Sequence, residues 1–290
     1  MSVSDVGHLS ENTKMKGLIP LTEAVIHLWL AFYSEINEES LHVTYLELLR
    51  IDERLQHSRF YFAKDRHRYL VTRALVRTVL SRYLPIHPTQ WMFSGNAYGR
   101  PEITNSEATN FGLSFNISHT DSLIVLGVTR HRALGVDVEN FRGRQASIDI
   151  ADRYFARQEV AKLAATSPQE QQYRFFEYWT FKEAYIKARG VGLSLPLDKF
   201  SFWYPNDRSV EIAIDPEMAD ESLRWQFWQF RPGPEYLLAV CAERIASGPS
   251  NVIVRQVVPM VSEKQCVLEV LRVSRSNGSA THNNHNWSVT

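Results

Sequence analysis

The sequence predicts an α+β fold made of two similar halves, and three observations carry that expectation. Val25–Phe32 (VIHLWLAF) is dense in strand-forming residues. Apolar residues at helical spacing then run through 39–55 and 58–83, before two short strands within 115–127. The same succession of strand, helices and strands recurs between 133 and 242, with no repeat in the sequence itself.

Taken in order, residues 1–18 are polar and read as a flexible tail. After the first strand, 39–55 suits one or two helices. Stretch 58–83 suits a long one, because Leu70, Ala74, Leu75, Val79 and Leu80 share a face. The basic residues from Arg59 to Arg82 surround that face with few acids. They fit either a solvated surface or arginines that grip phosphate. Asn96, Gly99 and Pro101 mark a turn that presents Arg100.

The hairpin within 115–127 presents Asn116, Ser118 and His119. It has no G-x-S-x-G elbow, which disfavours a serine hydrolase, whereas a hydroxyl and an imidazole can donate to phosphate oxygens. A strand follows at 133–140, then helices broken around Ser167-Pro168. Strands return at 200–204, 210–214, 225–230 and 237–242, with 252–259 as a further one. The expected division is a tail at 1–18, one half at 19–130, a second at 131–260 and a largely disordered extension at 261–290. Residues 274–290 in particular are of low complexity.

Composition bounds the function. Lysine plus arginine and aspartate plus glutamate are both 32, so the net charge is zero, which argues against a whole-molecule nucleic-acid binder. Hydrophobic residues make up 44%, enough for a core and against global disorder. Cys241 and Cys266 have no metal spacing and form no disulfide framework, so a reducing, cytoplasmic setting is expected. The first residues lack the pattern of a signal peptide, and the longest apolar stretch, 24–33, is too short to span a bilayer.

Two stretches carry the chemistry. Residues 175–197 read FFEYWTFKEAYIKARGVGLSLPL, with large apolar groups on nearly every side of a helix, the pattern of a buried one. Glu183 and Lys187 nonetheless sit four apart on one side, so they need each other, a metal or a charged ligand. Gly190 should end this helix in a left-handed turn. In ALGVDVEN at 133–140, alternation puts Asp137 and Glu139 on one face while Val136 and Val138 face the core. Paired carboxylates attract a divalent cation, and Mg²⁺ completes its shell with water and phosphate. The competing reading is an exposed strand edge kept soluble by its acids.

With GRP at 99–101, NISH at 116–119, GVDVE at 135–139, WTFKEAYIK at 179–187 and the basic stretch 65–77, the chain resembles the 4′-phosphopantetheinyl transferases of the surfactin-synthetase-activating type. The resemblance spans roughly 25–242. It implies a pseudo-dimeric fold with coenzyme A bound between the halves, in a monomer. It also implies transfer of the phosphopantetheine arm to a serine of an apo acyl or peptidyl carrier protein. By position, Asp137, Glu139 and Glu183 would hold Mg²⁺. Arg100, Asn116, Ser118, His119 and Lys187 would meet the cofactor, with Arg68 and Arg54 on the adenosine 3′-phosphate. Glu183, directly or through water, would take the serine proton, and Lys187 would stabilise the leaving phosphate of 3′,5′-ADP. Two departures stand out: Arg100 replaces the family's lysine, and Glu53 and Gln56 fall where lysines precede the basic helix. The rivals are a coenzyme A-binding protein without catalysis and a metal-dependent phosphohydrolase.

Overall fold

The structure, a computed structural model, describes residues 17–143, 149–246 and 248–275. The chain runs β1 (Val25–Phe32), α1 (Glu39–Leu48), α2 (Ile51–Arg59), α3 (Ala63–Leu80), β2 (Phe93–Gly95), β3 (Pro101–Ile103), α4 (Ser106–Phe111), β4 (Leu113–His119) and β5 (Leu123–Arg130). It continues through β6 (Leu134–Asn140), α5 (Asp149–Tyr154), α6 (Arg157–Ala164), α7 (Pro168–Arg189), β7 (Phe200–Trp203) and β8 (Glu211–Ile214). It closes with β9 (Trp225–Arg231), β10 (Tyr236–Glu243), β11 (Asn251–Val258), β12 (Ser262–Cys266) and β13 (Glu269–Val273).

Two larger sheets form, in the orders β12-β11-β1-β5-β4 and β13-β9-β10-β6. Period-two alternation explains how they stack. Ile26, Leu28 and Leu30 of β1 meet Leu134, Val136, Val138, Leu238 and Val240 in a core between the sheets. On the outer faces, Trp29 and Ala31 pack with α1 and α3, while Ala239 and Cys241 pack with α7. The layers are therefore helix, sheet, sheet, helix. Among the described residues no helix is long and apolar enough to cross a membrane.

Helix α7 is buried as its aromatic pattern requires, with Phe176, Phe181 and Tyr185 all in the core. Pro168 opens it, and Gly190 closes it in the left-handed conformation at φ 69°. The helix lies directly on β6, and one residue makes that possible. A Cβ on Gly135 would collide with the backbone of Ala184 and Ala188. Small residues on both elements thus bring the α7 side chains down to the strand that carries Asp137.

The expected domain division is corrected at its C-terminal end. β11 pairs in parallel with β1, from Val25↔Asn251 to Leu30↔Gln256, so it belongs to the first sheet and not to the second half. The extension expected to be largely disordered supplies two strands: β12 extends the first sheet and β13 the second. Its polar sequence, SEKQC, reflects a position at a solvated sheet edge, where no apolar face is needed. Arg82 at the end of α3 secures it by pairing with Glu263 at 3.1 Å. Residues 1–16 and 276–290, where the remaining tail expectations fall, lie outside the described residues.

Candidate active site

β6 offers two faces: Leu134, Val136 and Val138 enter the inter-sheet core, and Gly135 and Asp137 turn toward α7. Asp137 is only 4% exposed, which removes the reading of a solvated acidic edge. Lys187 of α7 places its Nζ 2.6 Å from Asp137 Oδ1 and 2.9 Å from Ser118 Oγ. Ser118 donates to the same Oδ1 at 3.1 Å and accepts the Val138 N–H at 3.2 Å. Its donor and both acceptor sites are then filled. Three predicted residues from three segments meet here, and Lys187 pairs with Asp137, the partner that helical spacing alone does not reveal.

Glu183 stands one turn before Lys187 on the same side of α7. Burial first, and then the Asp137 charge, push its carboxyl up to about 7 against the opposing Lys187 ammonium. A buried oxygen, Asp137 Oδ2, has no hydrogen-bond partner. Such an atom beside a second carboxylate is what a divalent cation would satisfy. Among the described residues no three His, Cys, Asp or Glu side chains are gathered closely enough to hold an ion by themselves. Mg²⁺ does not require that, since it is commonly held by one or two carboxylates with water and substrate phosphates. The donor set fits a hard divalent ion, with Asp137 and Glu183 as its base and the half-buried Glu139 two residues along β6.

Ser118 also lines a cavity of about 180 Å³ together with Arg68, Tyr69, Thr72 and His119. Arg68 is held by Asp65 at 3.0 Å and remains partly exposed. The His119 imidazole is pushed below its ordinary value, first by burial and then by the charges of Arg68 and Lys187. Asp65 lines the same cavity, so its wall carries the Arg68 guanidinium together with its paired carboxylate, and it borders the Asp137 cluster through Ser118.

Three predicted cofactor ligands are engaged elsewhere. The Arg100 guanidinium donates to the backbone carbonyls of Lys187 at 2.6 Å and of Phe115 and Leu134 at 3.3 Å. It joins the end of α7 to β4 and β6, and phosphate would have to displace those carbonyls. Asn96 of the same hairpin donates to Gly190 O at 3.0 Å, so the turn expected to present a charge instead clamps the helix terminus. Asn116 is buried, and its side-chain oxygen accepts the Val136 N–H at 2.8 Å. Arg54 donates to the carbonyls of Leu49 and Glu47 at the end of α1. On α3, Arg73 and Arg77 are engaged as well, both pairing with the one Glu53 carboxylate.

Sequence reasoning missed two devices. Asn116 and Ser118 of β4 and Thr120 just past its end alternate and accept the N–H groups of Val136, Val138 and Asn140, so side chains rather than a strand ladder join the two sheets. The alternation of three small polar residues was the available signal. Lys182, next to Glu183, is fully buried and bonds Glu159 at 2.8 Å and the carbonyls of Leu197 and Phe200 at 2.7 Å. It anchors the chain that leaves α7.

Comparison with known proteins gives the family. Residues 133–241 match the 4′-phosphopantetheinyl transferase superfamily, and 37–131 match the N-terminal domain model of 4′-phosphopantetheinyl transferase. The chain is 33% identical over 198 residues to 4′-phosphopantetheinyl transferase Sfp of Bacillus subtilis, which covers 68% of this chain and 84% of that one. It is 34% identical over 218 residues to 4′-phosphopantetheinyl transferase HetI of Nostoc, covering 74% and 86%. With both models matched along one chain and relatives of this identity and coverage, the chain belongs to the 4′-phosphopantetheinyl transferase family, in its Sfp-type branch.

Proposed function

We propose that this chain transfers 4′-phosphopantetheine from coenzyme A to a serine of an apo acyl or peptidyl carrier protein, with Mg²⁺, releasing 3′,5′-ADP. The observation that carries the reading is the buried Asp137, one oxygen unpartnered, beside a Glu183 carboxyl raised to about 7. The two sheets, each backed by a long helix, suit the family's pair of similar halves with coenzyme A between them.

A serine hydroxyl is a weak nucleophile until a base takes its proton, and the Glu183 carboxylate is the group placed for that task. Glu183 accepts the proton as the serine Oγ forms its bond to the β-phosphorus. The bond from that phosphorus to the bridging pyrophosphate oxygen breaks, and its electron pair leaves with 3′,5′-ADP. Lys187 offsets negative charge gathering on the transferred phosphoryl and also steadies Asp137. Arg68 and His119, on the cavity wall, bind coenzyme A phosphate. Asp137, Glu139 and Glu183 would hold a divalent ion, which would supply the neutralisation of pyrophosphate charge on which phosphoryl transfer depends.

The test is the intact mass of an apo carrier protein incubated with coenzyme A, Mg²⁺ and this chain. The expected gain is about 340 Da, the phosphopantetheine group moved by phosphoryl-transfer chemistry, and EDTA should abolish it. No gain with any of several carriers, despite coenzyme A binding, would leave a non-catalytic binder.

A further inference from the structure

We propose that His42 and His67 form a second metal site, selective for a transition-metal cation of the Zn²⁺ class, that clamps α1 to α3. The two imidazoles project from these packed helices with ring centres 4.8 Å apart and planes at 49°. Two imidazoles on one tetrahedral ion, each at about 2.0–2.1 Å, place their ring centres about 5 Å apart. The rings already have that spacing.

The backbone fixes which nitrogen each ring offers. His67 Nε2 lies 2.7 Å from the Tyr33 carbonyl and therefore donates, which leaves Nδ1 with its lone pair. The His42 ring is likewise bonded to the backbone of Ile36. The two remaining nitrogens, His42 Nε2 and His67 Nδ1, are both buried and both without a partner. An imidazole whose far N–H is pinned by a carbonyl, while its near nitrogen is left unpaired, is the usual arrangement around a ligated metal. Glu39, one turn before His42 on α1, adds a negative charge that acts on the ring. Imidazole donors favour Zn²⁺, Ni²⁺ or Cu²⁺ over Mg²⁺, so the site differs in preference from the carboxylate pair at Asp137. Both histidines are half-buried, with solvent reaching the residues though not the two unpaired nitrogens, so a bound ion would draw its remaining ligands from water as the rings part. Because His67 adjoins Arg68 on α3, an ion here would stiffen the helix that lines the active-site cavity.

The test is titration of the full chain with Co²⁺ under excess Mg²⁺, followed by visible absorption, on wild type, His42→Gln and His67→Gln. One equivalent with the intense bands of a low-coordinate site is expected in wild type, and its loss in each variant. X-ray absorption of the wild-type Zn²⁺ adduct supplies a reading independent of variant folding, with two imidazole nitrogens at about 2.0–2.1 Å expected. Absence of Co²⁺ binding by wild type would overturn the proposal. So would equal binding by all three proteins, or a Zn²⁺ adduct without two imidazoles. Neither result bears on transfer to a carrier protein.

Discussion

Replacing Glu183 with Gln should stop transfer while stabilising the fold. In the folded chain the carboxyl sits at about 7 against an ordinary value of 4.5, chiefly through burial and then through the Asp137 charge. The folded state therefore holds a proton more tightly than the unfolded state. Its stabilising effect is complete below the unfolded value and is lost as pH rises through about 7. At pH 8 the ionised Glu183 costs the metal-free fold up to about 3 kcal/mol, and at pH 5 less than about 1 kcal/mol. Solvent at this half-buried position lowers the upper figure, so a gain of about 1–3 kcal/mol is expected for Glu183→Gln at pH 8. Urea unfolding of both proteins in EDTA, at pH 8 and pH 5, measures it. A variant no more stable than wild type at pH 8, or a difference that grows toward pH 5, would refute the electrostatic reasoning.

Other perturbations separate the remaining roles. Arg68→Ala should raise KM for coenzyme A by about tenfold, equivalent to about 1.4 kcal/mol, with kcat nearly unchanged; an unchanged KM in steady-state kinetics removes Arg68 from the cofactor site. Lys182→Met strands the buried Glu159 carboxylate and should cost about 3–5 kcal/mol in denaturant unfolding at neutral pH. Gly135→Ala pushes β6 off α7 and should cost about 3 kcal/mol, with activity falling even where the protein still folds. Wild-type stability with full activity would show that this close approach is dispensable.

Much of the molecule is legible in its residues, for identifiable reasons. β1 stands where its density of strand formers predicts, and β6 shows the expected alternation, with Val136 and Val138 in one core and Asp137 toward α7. Pro168 and Gly190 bound α7 because their backbone preferences act locally. Pairings across the chain are different. Helical spacing left Lys187 to Glu183, a metal or a charged ligand, and Asp137 on β6, invisible from the helix alone, is its hydrogen-bonded partner. Arg100 and Asn116 have the chemistry of phosphate ligands, but backbone groups from distant segments take them first. The pairing of β11 with β1 and the strand β12 were hidden for a similar reason. A parallel partner more than two hundred residues away leaves no local mark, and a polar edge strand looks like a tail.

The most direct test of transfer to a carrier is the time course of 3′,5′-ADP release, measured alongside carrier mass. Wild type with coenzyme A and Mg²⁺ should release it only when apo carrier is present, in a one-to-one ratio with modified carrier, and Glu183→Gln should release none. Release without carrier would make water the acceptor and the chain a phosphohydrolase. Undiminished release by Glu183→Gln would contradict the role given to that carboxylate.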